Sequence, residues 1–265
     1  MAKKNKHVSI DERLKDEQDA YNKGIDRKKY NAAFGHAQKG YFAKRRNKIF
    51  ASVLKKKKDL TILEIGSTSW KKFIDFEKYT PKKLVCINLS EKALKQGQKI
   101  AQELQTNKKC LHEFKVMDAH NLEYPDQTFD IVFGQEILHH LDFELAIKEF
   151  ARILKPGGQI VFVEPLGRNP VGKLIRWMTP NKRTAYERPL DKKEIKILKK
   201  YFDLELAYNQ LFYVPIGALS KFIFKSPKNP LTYCAYKIDL FLEKIFKWTN
   251  FGLYYRQIVI RGILK

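Results

Sequence analysis

From residue 61 to residue 164 the chain alternates short apolar runs with longer segments of helical spacing, and this rhythm constrains its fold more than any other feature. The runs lie at 61–65, 84–88, 114–117, 131–134 and 159–164, with helical segments at 91–105 and 143–154. The second helix is expected to stop at Lys155-Pro156-Gly157-Gly158. A further helix at 192–201 precedes an apolar strand near 204–208, and Ile258, Ile260 and Ile263 favour a terminal strand over 256–264. Alternation of this kind builds βαβ units around a parallel sheet, so the expected class is α/β with an open, doubly wound, mainly parallel sheet. Ligands of such sheets bind beyond the carboxyl ends of the strands.

The rest of the chain is different in character. Residues 1–58 read as a basic arm, with 1–10 disordered and 11–58 helical. Tyr21, Ile25, Tyr30, Phe34, Tyr41, Phe42, Ile49, Phe50 and Val53 are its candidate apolar contacts. Residues 59–265 form the main domain, with insertions at about 166–190 and 214–253. The second insertion is rich in aromatic residues interleaved with lysines and reads as a cap over the sheet edge. The net charge is +23, and the excess sits in the two flanks, whereas 59–165 is close to balanced. A basic surface concentrates polyanions of any kind, whether nucleic acid, anionic lipid or phosphorylated substrate. Cys86, Cys110 and Cys234 lie far apart and suggest neither a zinc site nor a disulfide. No apolar run of membrane-spanning length and no signal segment is visible, so a cytoplasmic protein is expected, with peripheral contact at the inner membrane face as an extension.

Four stretches carry a resemblance: "LEIGSTS", "CINLSEKAL", "VMDAHNLEYPDQTFDIVFGQEILHHL" and "ARILKPGGQIVFVEP". In this order and spacing they resemble the class I S-adenosylmethionine-dependent methyltransferases, in the small-molecule branch of ubiquinone-type and sugar O-methyltransferases, methyltransferase type 11. The resemblance covers residues 59–165 well and implies a seven-stranded Rossmann-like sheet and S-adenosylmethionine as cofactor. It assigns cofactor contacts to Glu64, Gly66, Ser67, Asn88, Leu89, Asp118, Ala119 and Gln135. Glu64 would orient the amino acid end through the turn, Asn88 would meet the ribose, Asp118 and Ala119 the adenine, and Gln135 the sulfonium region. Two departures stand out. Thr68 and Trp70 occupy positions where the family has glycines, and Asn88 stands where it commonly has an acid, which keeps the bonding geometry and loses charge assistance.

His139 and His140 follow the fourth strand, where an acceptor hydroxyl would meet the methyl group, and either could serve as base, with Glu164 orienting it. No metal-ligand grouping is expected. Asp130 is read as structural. Arg168, Arg176 and Arg183 follow the fifth strand and could bind a phosphate or carboxylate on the acceptor, or serve only as surface charge. The acceptor expected is therefore a small or lipid-linked molecule, an anionic one if the arginines bind it. The basic flanks also suit a nucleic-acid methyltransferase, but the Asn-Pro-Pro-Tyr and Pro-Cys motifs of those enzymes are absent. The lost glycines and Asn88 keep a third reading open, a non-catalytic binding protein on the same fold.

Overall fold

The computed structural model describes residues 12, 15, 18, 19, 40–55, 59–74, 79, 81–104, 110–178, 187–246 and 249–265. Tyr21, Ile25, Tyr30, Phe34 and Arg183, with most of the expected arm, lie outside the described residues. The elements are α1 (Tyr41–Leu54), β1 (Thr61–Ile65), α2 (Trp70–Phe73), β2 (Lys83–Asn88), α3 (Glu91–Glu103), β3 (Leu111–Val116), β4 (Phe129–Gln135), α4 (Phe143–Ile153) and β5 (Leu154–Pro165). They continue with α5 (Pro170–Met178), α6 (Lys192–Tyr201), β6 (Phe202–Asn209), α7 (Tyr213–Ser220), α8 (Pro230–Ile245) and β7 (Gln257–Leu264).

The seven strands form one sheet in the order β3-β2-β1-β4-β5-β7-β6. All pairings are parallel except those of β7 with β5 and β6. Both neighbours of β7 run against it, so β6 points the same way as β5. The segments after β1, β2, β4, β5 and β6 therefore all leave from one edge, the carboxyl edge, where the strand order reverses between β1 and β4 and opens a crevice.

The two-residue period of β1 divides its side chains between two cores: Leu63 and Ile65 face one, Ile62 the other. The first core is closed by α4, whose buried Ala146, Ile147, Phe150 and Ile153 form one stripe. The second is closed by Phe50, Val53 and Leu54 of α1, so this helix packs into the domain rather than standing apart as an arm. Helix starts follow side-chain capping. Ser90 accepts from Ala93 N, Asp142 from Leu145 N, and Asp191 and Asn229 each complete a capping box.

The expected turn at Lys155-Pro156-Gly157-Gly158 is instead the bent start of β5. Leu154 already pairs with Phe129, a register shift follows, and Gly157 takes φ +69°. The Asp130 carboxylate accepts from Thr61 N and Lys155 Nζ, both at 2.8 Å, which is the structural role read for it.

Candidate active site

The turn after β1 is built around two residues of positive φ, Gly66 at +121° and Ser67 at +73°. At Gly66 a side chain would be strained by the backbone alone, and the space its Cβ would enter is open. The buried Glu64 carboxylate holds the turn from below, accepting from Ser69 N, Ser69 Oγ, Trp70 N at 3.0 Å and Cys86 Sγ at 3.3 Å. Burial raises its pKa, and these donors offset part of the rise. Trp70 is fully buried, in the α1 core. The bulky residue at an expected glycine thus fills the protein interior while Gly66 keeps the crevice side open. Ser67 is also fully buried, yet its Oγ has no hydrogen-bond partner.

At the end of β2 the Asn88 amide joins two loops, donating to Gly66 O at 3.1 Å and accepting from Ser90 N at 2.8 Å. Leu89 follows, and its carbonyl accepts from Gln18 Nε2 at 3.1 Å, so a described residue of the N-terminal segment reaches this edge. Beyond β3, Asp118 Oδ1 accepts from His120 N at 3.0 Å and from His120 Nδ1 at 2.6 Å. Burial pushes the Asp118 pKa up, but the His120 bonds prevail and hold it below its ordinary value. His120 Nε2 in turn accepts from Asp142 N at 2.7 Å, tying this loop to the start of α4, and the following Ala119 is buried. Gln135 ends β4 with its Oε1 buried and unpartnered. Two lone polar atoms, Ser67 Oγ and Gln135 Oε1, thus belong to residues at the carboxyl ends of the neighbouring strands β1 and β4. Buried polar groups are nearly always paired, so both call for a ligand or water.

His139 lies in a short 3₁₀ turn, Leu138–His140, and its Nδ1 is 2.7 Å from Glu164 Oε2. The other Glu164 oxygen accepts from Ile137 N and Leu138 N, both at 2.9 Å, which fixes the carboxylate completely. An acceptor-only carboxylate requires a proton on Nδ1, so Nε2 carries the lone pair. Nε2 faces Glu187 Oε1 at 3.9 Å. Burial lowers the pKa of His139, but Glu164, Glu187 and Glu136 together overcome this and raise it above the ordinary histidine value. The His140 ring stands beside it, 4.2 Å between centroids, at a more exposed position. One atom each of His139, His140 and Glu187 could ligate a cation, all lying within 4.8 Å of one another. Spacing in the sequence offers no such grouping. Glu187 is too remote in sequence for spacing to reveal it.

Sequence reasoning missed three further residues. Glu136 takes φ +54°, and its charge acts on the half-buried Arg46 of α1. Gly97 of α3 lets that helix touch the cofactor turn, since a Cβ there would lie 2.4 Å from Ser67 O. His120 is the third, and "DAH" contained its signal, an acid two residues before an imidazole. Of the arginine group, the described members Arg168 and Arg176 both lie at the start of the segment after β5. Arg168 Nε binds Asp191 at 2.8 Å and Arg176 reaches Gly167 O at 3.2 Å.

Residues 63–162 match a family described as a methyltransferase domain. These residues are a class I methyltransferase domain of the type 11 branch. Norajmaline N-methyltransferase of Rauvolfia serpentina is 35% identical over 118 residues, 44% of this chain and 35% of that protein. The 27-O-demethylrifamycin SV methyltransferase of Amycolatopsis mediterranei is 36% identical over 75 residues, 28% and 27% of the two chains. Phosphoethanolamine N-methyltransferase 3 of Arabidopsis thaliana is 40% identical over 57 residues, 21% and 12%. The match spans well under two thirds of each of these relatives.

Solved structures extend the likeness in fold across the methyltransferase domain and its flanks. Geranyl diphosphate C-methyltransferase of Streptomyces coelicolor, in complex with Mg2+, geranyl diphosphate and S-adenosyl-L-homocysteine, has a TM-score of 0.57 at 12% identity. It covers 83% of this chain and 78% of that one. The [4+2]-cyclase SpnF has a TM-score of 0.54 at 19% identity, with 83% and 79% covered. The fold therefore carries N-, O- and C-methyl transfer by name, and a cyclisation as well.

Proposed function

We propose that the chain is an S-adenosylmethionine-dependent methyltransferase acting on an oxygen of a small-molecule or lipid-linked acceptor with anionic character. The observation that carries the cofactor reading is the pair of buried, unpartnered atoms Ser67 Oγ and Gln135 Oε1 at the ends of β1 and β4, beside a Gly66 whose Cβ position is open. When bound, the cofactor supplies a methyl group already activated on a sulfonium. Ser67 and the turn would hold its amino acid end, Asn88 and Leu89 the ribose, Asp118 and Ala119 the adenine, and Gln135 the sulfonium side. Asn88 still has an N–H and an oxygen lone pair to offer after its two internal bonds.

His139 is the base in this reading. Its Nε2 takes the acceptor hydroxyl proton as the new O–C bond forms, and Glu164 fixes the tautomer and ring orientation. Glu187, 3.9 Å from Nε2, stabilises the resulting imidazolium. His140 borders the acceptor. Arg168, Arg176 and Arg183 would meet its anionic group, Arg168 by sharing its guanidinium with Asp191.

The test is incubation with methyl-labelled cofactor and fractionated small molecules and lipids, comparing the wild type with His139→Ala. Label in an O-methyl product that His139→Ala abolishes is expected. Label on nitrogen or carbon would overturn the oxygen assignment, and undiminished label in the variant would overturn His139 as base. Cofactor binding without label in any fraction would favour a non-methylating relative.

A further inference from the structure

The helices between β6 and β7 bury Tyr213, Val214 and Ala235 against Phe42 but leave a second apolar face turned outward. In α8 the buried positions are Thr232, Ala235 and Asp239, while Leu231, Ile238, Phe241 and Ile245 are 41–63% exposed. At 100° per residue these four fall within about 80° of the helix circumference, one continuous stripe. The turn joining α7 to α8 adds Phe222 at 80% and Ile223 at 72% exposure. Lysines frame this surface: Lys237 and Lys244 along one edge of the stripe, Lys225 and Lys228 beside the turn, all exposed.

Charge chooses the occupant. The two acids of this segment are turned inward: Asp239 accepts from the backbone of Leu211, Phe212 and Tyr213, and Glu243 pairs with Arg45 at 2.7 Å. The outward face therefore offers apolar and cationic groups and no carboxylate. A second copy would bring lysine rows together without acids to pair them, whereas an anionic bilayer supplies both acyl chains and negative headgroups. Lysine stems can lie along the apolar stripe with their ammonium groups at headgroup level. The segment leaves β6 at the carboxyl edge of the sheet, the edge that carries Gly66 and His139. The exposed Trp177 of α5 leaves from this same edge, at 79% exposure.

We infer that the α7–α8 hairpin is an interfacial docking element that lays this sheet edge on an anionic lipid surface. It deepens the lipid-linked reading above but does not require methyl transfer.

The test is flotation of the full chain with vesicles of phosphatidylcholine alone and of phosphatidylcholine mixed with phosphatidylglycerol, with cofactor binding measured on the same samples. Binding to the mixed vesicles is expected, about tenfold weaker on the neutral ones or in high salt. Phe222→Asp/Ile223→Asp should lose about tenfold, and Lys225→Glu/Lys228→Glu should lose binding with the apolar surface intact. No binding to mixed vesicles, or binding that both variants retain, would overturn the inference. A dimer abolished by the Phe222/Ile223 variant would overturn it as well and assign the face to self-association. Cofactor binding that persists in the same samples separates failure of docking from failure of the enzyme reading.

Discussion

Two buried atoms without partners, Ser67 Oγ and Gln135 Oε1, make the sharpest residue-scale prediction. In Ser67→Ala the chain without ligand should be as stable as the wild type or more so, because an unsatisfied hydroxyl is removed. Cofactor affinity should nonetheless fall about three- to tenfold, the worth of one neutral hydrogen bond; thermal melting with and without S-adenosylhomocysteine reads both. A second prediction concerns Glu164. Since His139 holds its proton more tightly in the fold than when unfolded, its stabilising contribution is full below about pH 6.5 and is lost as pH rises through the raised value. A base must be neutral, so activity should rise with pH over that same limb. Glu164→Gln should lower the rate by about 10²-fold and move the limb to lower pH, because the main influence raising the pKa is gone; a purely structural glutamate would leave the limb in place. Among these residues the sequence made His139, Glu164 and Gln135 legible, because motif order located them. The choice between two adjacent histidines needed the Glu164 contact, and Glu187 needed the fold.

At the scale of elements, close approach matters more than propensity. Gly97→Ala would place a methyl 2.4 Å from Ser67 O and 2.9 Å from the Phe114 ring. It should cost about 1–3 kcal/mol of stability and weaken cofactor binding by shifting the turn, readable as a lowered denaturation midpoint and a raised Kd. In α8, burial pushes the Asp239 carboxyl up to about 6, against its three backbone N–H donors. Its stabilising share is therefore complete below about pH 4 and lost as pH rises through about 6. Wild-type stability should fall by about 3 kcal/mol across that window from this group, and Asp239→Asn should flatten the fall; an unchanged pH profile would contradict it. Strand positions were legible from apolar runs, although β5 starts earlier than the Pro-Gly-Gly turn suggested. Period 2 sees side-chain faces, whereas a bulge at Phe129/Ile131 is set by strand pairing. Gly97 looked like an ordinary helical residue because its neighbour is distant in sequence.

The whole molecule is held together across its ends by Arg45 of α1. Its guanidinium donates to both Glu243 oxygens, at 2.7 and 3.0 Å, and to Tyr208 O and Asn209 Oδ1, both at 2.9 Å. Arg45→Ala should leave the Glu243 carboxylate without its counter-charge, holding only the bond from Tyr208 N, at a cost of about 2 kcal/mol, and should loosen α1 and α8 together in hydrogen exchange. That long-range pin explains why the basic flank looked like a separate arm: its charge was visible, its partners were not. The parallel sheet and the crevice were legible from alternation alone, and the outward apolar face of α8 was legible only as an excess of aromatics. Among the described residues no helix is long and apolar enough to cross a membrane. The central claim is that this glycine-poor turn still forms a cofactor site, and calorimetric titration with S-adenosylmethionine and S-adenosylhomocysteine tests it most directly, with Gly66→Val as the blocked control. One-to-one micromolar binding, lost in the control, is the predicted result; no heat from the intact chain at millimolar ligand would contradict the account.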